Sequence, residues 1–229
     1  MEKEKTFYLI GGPNGSGKST LVHQIIKTGD IEVLNLDNIA TMRNVSNITA
    51  ARQLLSEDLP RVLQSGHSFA LESTLSGTYD ARIIKTAQNL NYRVVFAFAF
   101  LESVEQNIER VAQRVRMGGH GVDVDTIRRR YKKSLHNFHK IVPLVDNWFL
   151  FYNGEIGKSY RVASGTKTTA DVEHKEFFSM FCDNCFNASV RESIGFVEIG
   201  AGDARIMIES IDNHMLFSVM KQLLDGKQR

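Results

Sequence analysis

Two periods alternate along the first 165 residues or so. Short apolar runs bounded by turn residues predict strands, and apolar positions three or four apart predict helices. Thr6–Ile10 is an apolar run stopped by Gly11-Gly12. Gly17–Lys27 carries good helix formers and ends before Gly29, and Ile31–Leu36 is the next strand. Thr49–Gln64 has helical spacing through Leu54, Leu55, Leu59, Val62 and Leu63, with Pro60 predicting a break near Leu59. Ser68–Glu72 reads as a strand and Asp80–Asn89 as a helix. Arg93–Phe100, rich in Val and Phe, is the strongest buried strand. Glu102–Arg116 and Asp125–Ile141 are helices joined by the loop Gly118-Gly119-His120-Gly121. Trp148–Tyr152 is a last strand, with a turn at Asn153-Gly154. Strands alternating with helices predict an α/β fold: a parallel sheet with helices on both faces.

Beyond Gly165 the pattern changes. Thr166–Thr169 reads as a linker or helix start, and Asp171–Phe186 as an amphipathic helix through Phe177, Phe181 and Cys185. A hairpin around Gly200–Asp203 and a closing helix over Met215–Leu224 complete the chain. The expected organisation is therefore a core over residues 1–165 and a small α+β extension over 166–229, packed on the core or appended to it.

The decisive local signal is Gly12-Pro13-Asn14-Gly15-Ser16-Gly17-Lys18-Ser19, which fits G-x-x-x-x-G-K-[ST] between a predicted strand and a predicted helix. Glycines let backbone N–H groups converge on phosphate oxygens, and the helix N-terminus adds its positive end. Gly12, Asn14, Gly15, Ser16, Gly17, Lys18, Ser19 and Thr20 are the expected ATP-binding set. Lys18 reaches the β- and γ-phosphates and Ser19 holds Mg²⁺. The sequence has no Asn-Lys-x-Asp to read guanine. Leu75-Ser76-Gly77-Thr78-Tyr79 matches only the first three residues of a transporter ATPase signature.

Other residues favour a small-substrate kinase. Asp37 is expected at the end of the second strand, where it either caps the following segment or positions an attacking hydroxyl. Glu72 follows the third strand, as substrate contact, Mg²⁺ support or a solvated carboxylate, and Ser73 and Thr74 contact substrate or cap. Between Glu105 and Lys140 nine Lys and Arg face four acids. Two arginine-bearing helices around a glycine loop suit a kinase lid, with Arg114 and Arg129 or Arg130 the expected phosphate ligands.

Composition narrows the picture further. The 229 residues are 42% hydrophobic and 24% charged, with a formal net charge of +2, so no global charge for coating a polyanion exists. Aromatic interleaving among the basic residues is thin, which makes nucleic acid an unlikely partner. The longest apolar run, Val94–Leu101, is far short of the roughly 20 residues of a membrane span. The charged N-terminus does not read as a signal peptide, and two cysteines form no disulfide framework. The expected location is cytoplasmic. Cys182-Asp183-Asn184-Cys185 lacks a second cysteine pair for zinc and reads as structural. His120 in the lid loop either touches phosphate or caps the loop.

Taken together, Gly11–Thr20, Asn35–Ala40, Gly66–Gly77, Arg110–Val122 and Ile127–Asn137 resemble the zeta-toxin family of P-loop kinases, more closely its chromosomal branch, often described as predicted ABC-type ATPases. The resemblance implies a P-loop NTPase/kinase-like fold and ATP-dependent phosphorylation of a small substrate's hydroxyl, UDP-N-acetylglucosamine in the characterised toxins. It implies Lys18 and Ser19 as nucleotide and Mg²⁺ residues, Asp37 as catalytic base, and Glu72 and Thr74 as substrate-site residues. Lid arginines from Arg114 and Arg128–Arg130 become phosphate ligands, Arg114 and Arg130 in catalysis with Lys18 and Arg129 toward substrate. An antitoxin-like protein is the implied partner. Where that branch usually has Pro after His-x-Val, this chain has Asp123. Where it usually has Asp-Asn-Ser, this chain has Tyr152-Asn153-Gly154.

Overall fold

The computed structural model describes residues 4–26, 31–155 and 157–193. Its strands are Thr6–Gly11 (β1), Glu32–Leu34 (β2), Phe69–Ser73 (β3), Arg93–Phe100 (β4), Asn147–Tyr152 (β5), Tyr160–Gly165 (β6) and Ala170–Val172 (β7). They form one sheet in the order β2-β3-β1-β4-β5-β6-β7. The first five run parallel, and β6 and β7 are antiparallel additions. The helices are Lys18–Ile25 (α1), Leu36–Arg43 (α2), Asn47–Gln53 (α3), Leu59–Ser65 (α4), Tyr79–Asn89 (α5), Val104–Arg116 (α6), Val124–Ile141 (α7) and Lys175–Ser193 (α8).

Strand alternation sorts the two faces. On β4, Val94, Phe96, Phe98 and Phe100 point into the main core with residues of α4, α5, α7 and α8, while Ala97 and Ala99 point to the opposite face, against Leu21 and Val22 of α1. On β1, Phe7 and Leu9 join the main core and Ile10 joins α1. The large side chains thus fill the thick layer, and the alanines let α1 lie close to the sheet. The fold is the expected P-loop kinase-like α/β architecture.

The acceptor side departs from the periodicity. The expected strand over Ile31–Leu36 is only Glu32–Leu34, because Asn35 caps α2: its side-chain oxygen accepts the N–H of Asn38 at 3.2 Å. Asp37 accordingly sits in the first turn of α2 and not at a strand end. The expected single kinked helix over Thr49–Gln64 is α3, a π-helical turn over Leu54–Asp58, and α4. Pro60 has no N–H and crowds the carbonyl four residues back, and the chain widens so that Leu59 N–H reaches Leu54 O. α2 and α3 share a small separate core of Ile39, Ala40 and Ala50.

The sheet continues across residue 165, since β6 pairs with β5 on one side and with β7 on the other. Residues 170–172, expected in or beside a helix, are strand, and α8 starts at Lys175. Phe178, Phe181, Cys182 and Cys185 are buried, and the Phe181 ring lies 4.9 Å from those of Phe100 and Phe138 and 5.8 Å from that of Phe98. The expected hairpin near Gly200–Asp203 and helix over Met215–Leu224 lie outside the described residues. Among the described residues, no helix is long and apolar enough to cross a membrane.

Because Phe181 sits inside this aromatic cluster, Phe181→Ala removes core volume that its rigid neighbours cannot refill. The expected loss is about 3–5 kcal/mol of unfolding free energy, read from urea denaturation followed by far-ultraviolet circular dichroism. A loss near zero would place α8 outside the cooperative core.

Candidate active site

The loop between β1 and α1 can turn its amides inward when its carbonyls have partners elsewhere, and those of Gly12, Pro13, Asn14 and Ser16 do. Lys18 Nζ donates to Gly12 O at 2.8 Å and Pro13 O at 2.9 Å. Asn107 Nδ2, fully buried on α6, donates to Asn14 O at 2.6 Å. Asn153 Nδ2, just past β5, donates to Ser16 O at 2.9 Å. Close packing against these two asparagines explains two of the glycines. A Cβ on Gly15 (φ +80°) would lie 2.6 Å from Asn107 O, and one on Gly17 (φ +89°) 2.8 Å from Asn153 Nδ2.

Asn153 is itself fixed. Its N–H donates to Phe100 O at 3.1 Å, its side-chain oxygen accepts from Ser159 Oγ at 2.6 Å, and Arg110 donates to its carbonyl at 2.6 Å and to that of Gly154 at 3.0 Å. The segment expected as a simple turn is therefore a buttress of the phosphate loop.

Lys18 is the electrostatic hub. Burial lowers its pKa to about 8, and Glu72 and Asp37 oppose that shift while Arg114 and Arg130 add to it. Both carboxylates and both arginines thus act on one ammonium group. Glu72 reaches the loop from the end of β3, where its Oε2 accepts from Ser19 Oγ at 3.0 Å. Asn14, nearly buried, accepts from Arg130 Nη1 at 3.4 Å. Arg114 Nε and Nη2 are buried and make no hydrogen bond. Gly119 packs against that side chain: its N–H donates to Arg114 O at 2.9 Å, and a Cβ on it would lie 2.6 Å from Arg114 Cγ.

Other expected residues lie further out. Arg129 is exposed on α7 and its charge acts on Asp123. Arg128 pairs with Glu105 at 2.8 Å. Thr20 is exposed on α1. Thr74 Oγ1 lies 2.8 Å from Ser76 Oγ in the loop after β3. His120 Nε2 lies 3.2 Å from Asn47 Nδ2, which links the lid loop to α3. Asp123, the departure noted above, caps α7 by accepting Thr126 N–H at 2.8 Å. Cys182 and Cys185 are buried and form no disulfide, burial pushes the Cys182 thiol up to about 12, and the described residues contain no cluster of metal-binding side chains.

The family model described as AAA domain matches residues 8–138, more than half of the chain. The chain belongs to that family. This AAA domain is 32% identical over 136 residues to an uncharacterised protein of Haemophilus influenzae, which covers 57% of this chain and 94% of that one. It is 22% identical over 160 residues to a tRNA dimethylallyltransferase of Rickettsia massiliae, covering 64% of this chain but only 38% of that enzyme. Among solved structures, the AvrRxo1-ORF1:-ORF2 complex with ATP aligns at a TM-score of 0.61 and 17% identity, over 93% of this chain and 72% of that one. The PezAT chromosomal toxin-antitoxin system of Streptococcus pneumoniae aligns at 0.51 and 14%, over 82% and 88%. These likenesses establish a shared fold.

Asn107, Asn153 and Arg110 were not singled out for a role by the sequence reading. Their only sequence signal was position: Asn107 and Arg110 lie within the predicted lid helix and Asn153 in an apparent turn, and nothing local announces a contact with residues 14–17.

The geometry gives a pH dependence. A phosphate is best held by the charged form of Lys18, and burial holds that group near pKa 8. Affinity for inorganic tripolyphosphate is therefore expected to fall as pH rises through about 8, well before an ordinary lysine would lose its proton. Calorimetric titrations between pH 7 and 9.5 check this; an affinity flat across that range contradicts it.

Proposed function

We propose that this AAA domain is an ATP-dependent kinase that moves the γ-phosphoryl group to a hydroxyl of a small substrate. The observation that carries the reading is that Glu72 bonds to Ser19 and Arg130 to Asn14 of the same loop, while the charges of Asp37, Glu72, Arg114 and Arg130 all act on Lys18. A phosphate loop alone serves switches and motors equally; a carboxylate and lid arginines facing the same lysine serve transfer to an acceptor.

In this reading the loop amides and Lys18 hold the β- and γ-phosphates, and Arg114 and Arg130 neutralise charge on the phosphoryl group as it moves. Asp37 accepts the proton of the acceptor hydroxyl while its oxygen bonds to the γ-phosphorus and the bond to the β,γ-bridging oxygen breaks, releasing ADP. Ser19 and Glu72, an oxygen pair 3.0 Å apart beside the loop, suit Mg²⁺, which binds few protein oxygens and keeps its phosphate and water ligands. When bound, the ion supplies charge neutralisation to the phosphates. Thr74 belongs to the acceptor side, and Arg129, exposed on α7, would reach substrate at the rim.

The zeta-toxin resemblance points to a UDP-activated amino sugar as acceptor and to control by an antitoxin-like protein in the cytoplasm. The fold shared with the AvrRxo1-ORF1:-ORF2 complex and with the PezAT toxin-antitoxin system supports the partner. The curated relatives that modify tRNA favour a second acceptor class, an oligonucleotide hydroxyl, and the same assay distinguishes it.

The test is incubation with MgATP and either UDP-N-acetylglucosamine, a panel of other sugar nucleotides, or an oligonucleotide with a free 5′-hydroxyl, with products read by mass. A gain of one phosphoryl group on a sugar nucleotide is expected. ATP binding without phosphorylation of any of them would overturn the kinase reading. Asp37→Asn is expected to lower kcat by about 10²–10⁴-fold, the range of a positioned general base, with a far smaller change in ATP affinity when calorimetry is run at about pH 6.5, where Lys18 stays charged.

A further inference from the structure

Between β3 and α5 the backbone does something costly. Leu75 has φ +54°, a conformation that a bulky L residue adopts only where the surroundings impose it, and its side chain is fully buried. Outliers of this kind gather at functional sites, and this one lies two residues beyond the strand that delivers Glu72.

Three groups impose the conformation. Leu75 N–H donates to Ser73 Oγ at 2.9 Å. The Ser73 hydroxyl in turn bonds to the carboxylate of Asp80, which is buried at the start of α5. From the opposite side, Asn137 Nδ2 donates to Leu75 O at 2.8 Å and to Gly77 O at 3.2 Å. One side-chain amide therefore spans both ends of the turn. The turn it closes carries the Thr74 and Ser76 hydroxyls, 2.8 Å apart and half-buried, next to Glu72.

Asn137 stands on α7, seven residues after Arg130, which places both on one face of the helix about 10 Å apart along its axis. Arg130 reaches the phosphate loop at Asn14. The helix between them is anchored by the buried Tyr131, Ser134 and Leu135. A single rigid rod thus touches the phosphate loop at one point and the strained turn at another.

We infer that Asn137 is a positioning residue: it holds the Ser73–Gly77 turn in its strained form, so that Thr74 and Ser76 face the acceptor, and it ties that turn to the phosphate site through α7. The acceptor role of the turn rests on the kinase reading above; the tether itself does not. The Thr74–Ser76 pair suits an acceptor with two neighbouring oxygen substituents, as on a sugar ring, and rigid presentation of the pair fixes which oxygen meets the phosphoryl group.

Hydrogen–deuterium exchange on the full chain tests this, with Asn137→Ala and the isosteric Asn137→Asp, which keeps the volume but loses both donors. Amides of residues 73–79 are expected to exchange about tenfold faster in both variants, while β1 and β4 keep their protection. The ATP analogue AMP-PNP with Mg²⁺ is expected to slow exchange in this segment in the wild type and not in the variants, with its affinity unchanged. Wild-type protection in Asn137→Asp would overturn the tether, and nucleotide-dependent protection persisting in Asn137→Ala would overturn the coupling. Failure of AMP-PNP to bind the wild type would sink the nucleotide reading and the coupling with it, while the nucleotide-free comparison still decides the tether. If either variant loses its cooperative thermal melt, Ser73→Ala loosens the same turn without touching α7, and its exchange decides the point in the same way.

Discussion

A backbone loop can aim its N–H groups at an anion only when its carbonyls are satisfied on the outside. In this chain that constraint organises the surrounding structure. Lys18, Asn107 and Asn153 supply the donors from α1, α6 and the end of β5, and each arrives by a different route through the fold. The small residues of β4 follow from the same constraint: Ala97 and Ala99 face α1, and the loop passes close to the backbone of Ala99 at Gly12. The phenylalanines of the same strand, pointing the other way, build the thick aromatic layer with α7 and α8. The alternation of phenylalanine and alanine over Phe96–Phe100 therefore serves stability on one face and close approach on the other.

What the sequence made legible was whatever depends on neighbours in the chain. The phosphate loop, the parallel strands around it and the arginine-bearing helices α6 and α7 follow from local pattern and spacing. The acceptor side was harder, because side-chain capping and a proline override periodicity there. Asn35 ends β2 early by capping α2, so Asp37 enters the site from a helical turn, and Pro60 converts one regular helix into two joined by a π-turn. The supporting asparagines were illegible for another reason. An asparagine that closes a hydrogen bond to a residue some hundred positions away has no local signature, and Asn153 even carries a misleading one, since Asn-Gly is a common turn.

The arginines illustrate how tertiary position separates residues that sequence makes equal. Arg128, Arg129 and Arg130 are consecutive on α7, so helical geometry sends them in three directions. Arg128 pairs with Glu105, Arg129 stays exposed, and Arg130 alone turns to the phosphate loop. Arg114 is distinguished by Gly119, which packs against it, and by the burial of its Nε and Nη2, where a charge counts for more than in water.

Asn153 has a bearing on the order in which the molecule can be assembled. The phosphate loop begins at residue 12, yet one of its fixed carbonyls waits for a donor 137 residues later, and that donor is held in turn by Ser159. The loop thus reaches its full set of partners only after a segment more than a hundred residues downstream has been placed. Loop closures of this span are slow relative to local helix formation. A chain stopped before β5 carries the motif with the donors of Lys18 and Asn107 but without that of Asn153, so the support of the loop is completed only once the end of β5 is in place.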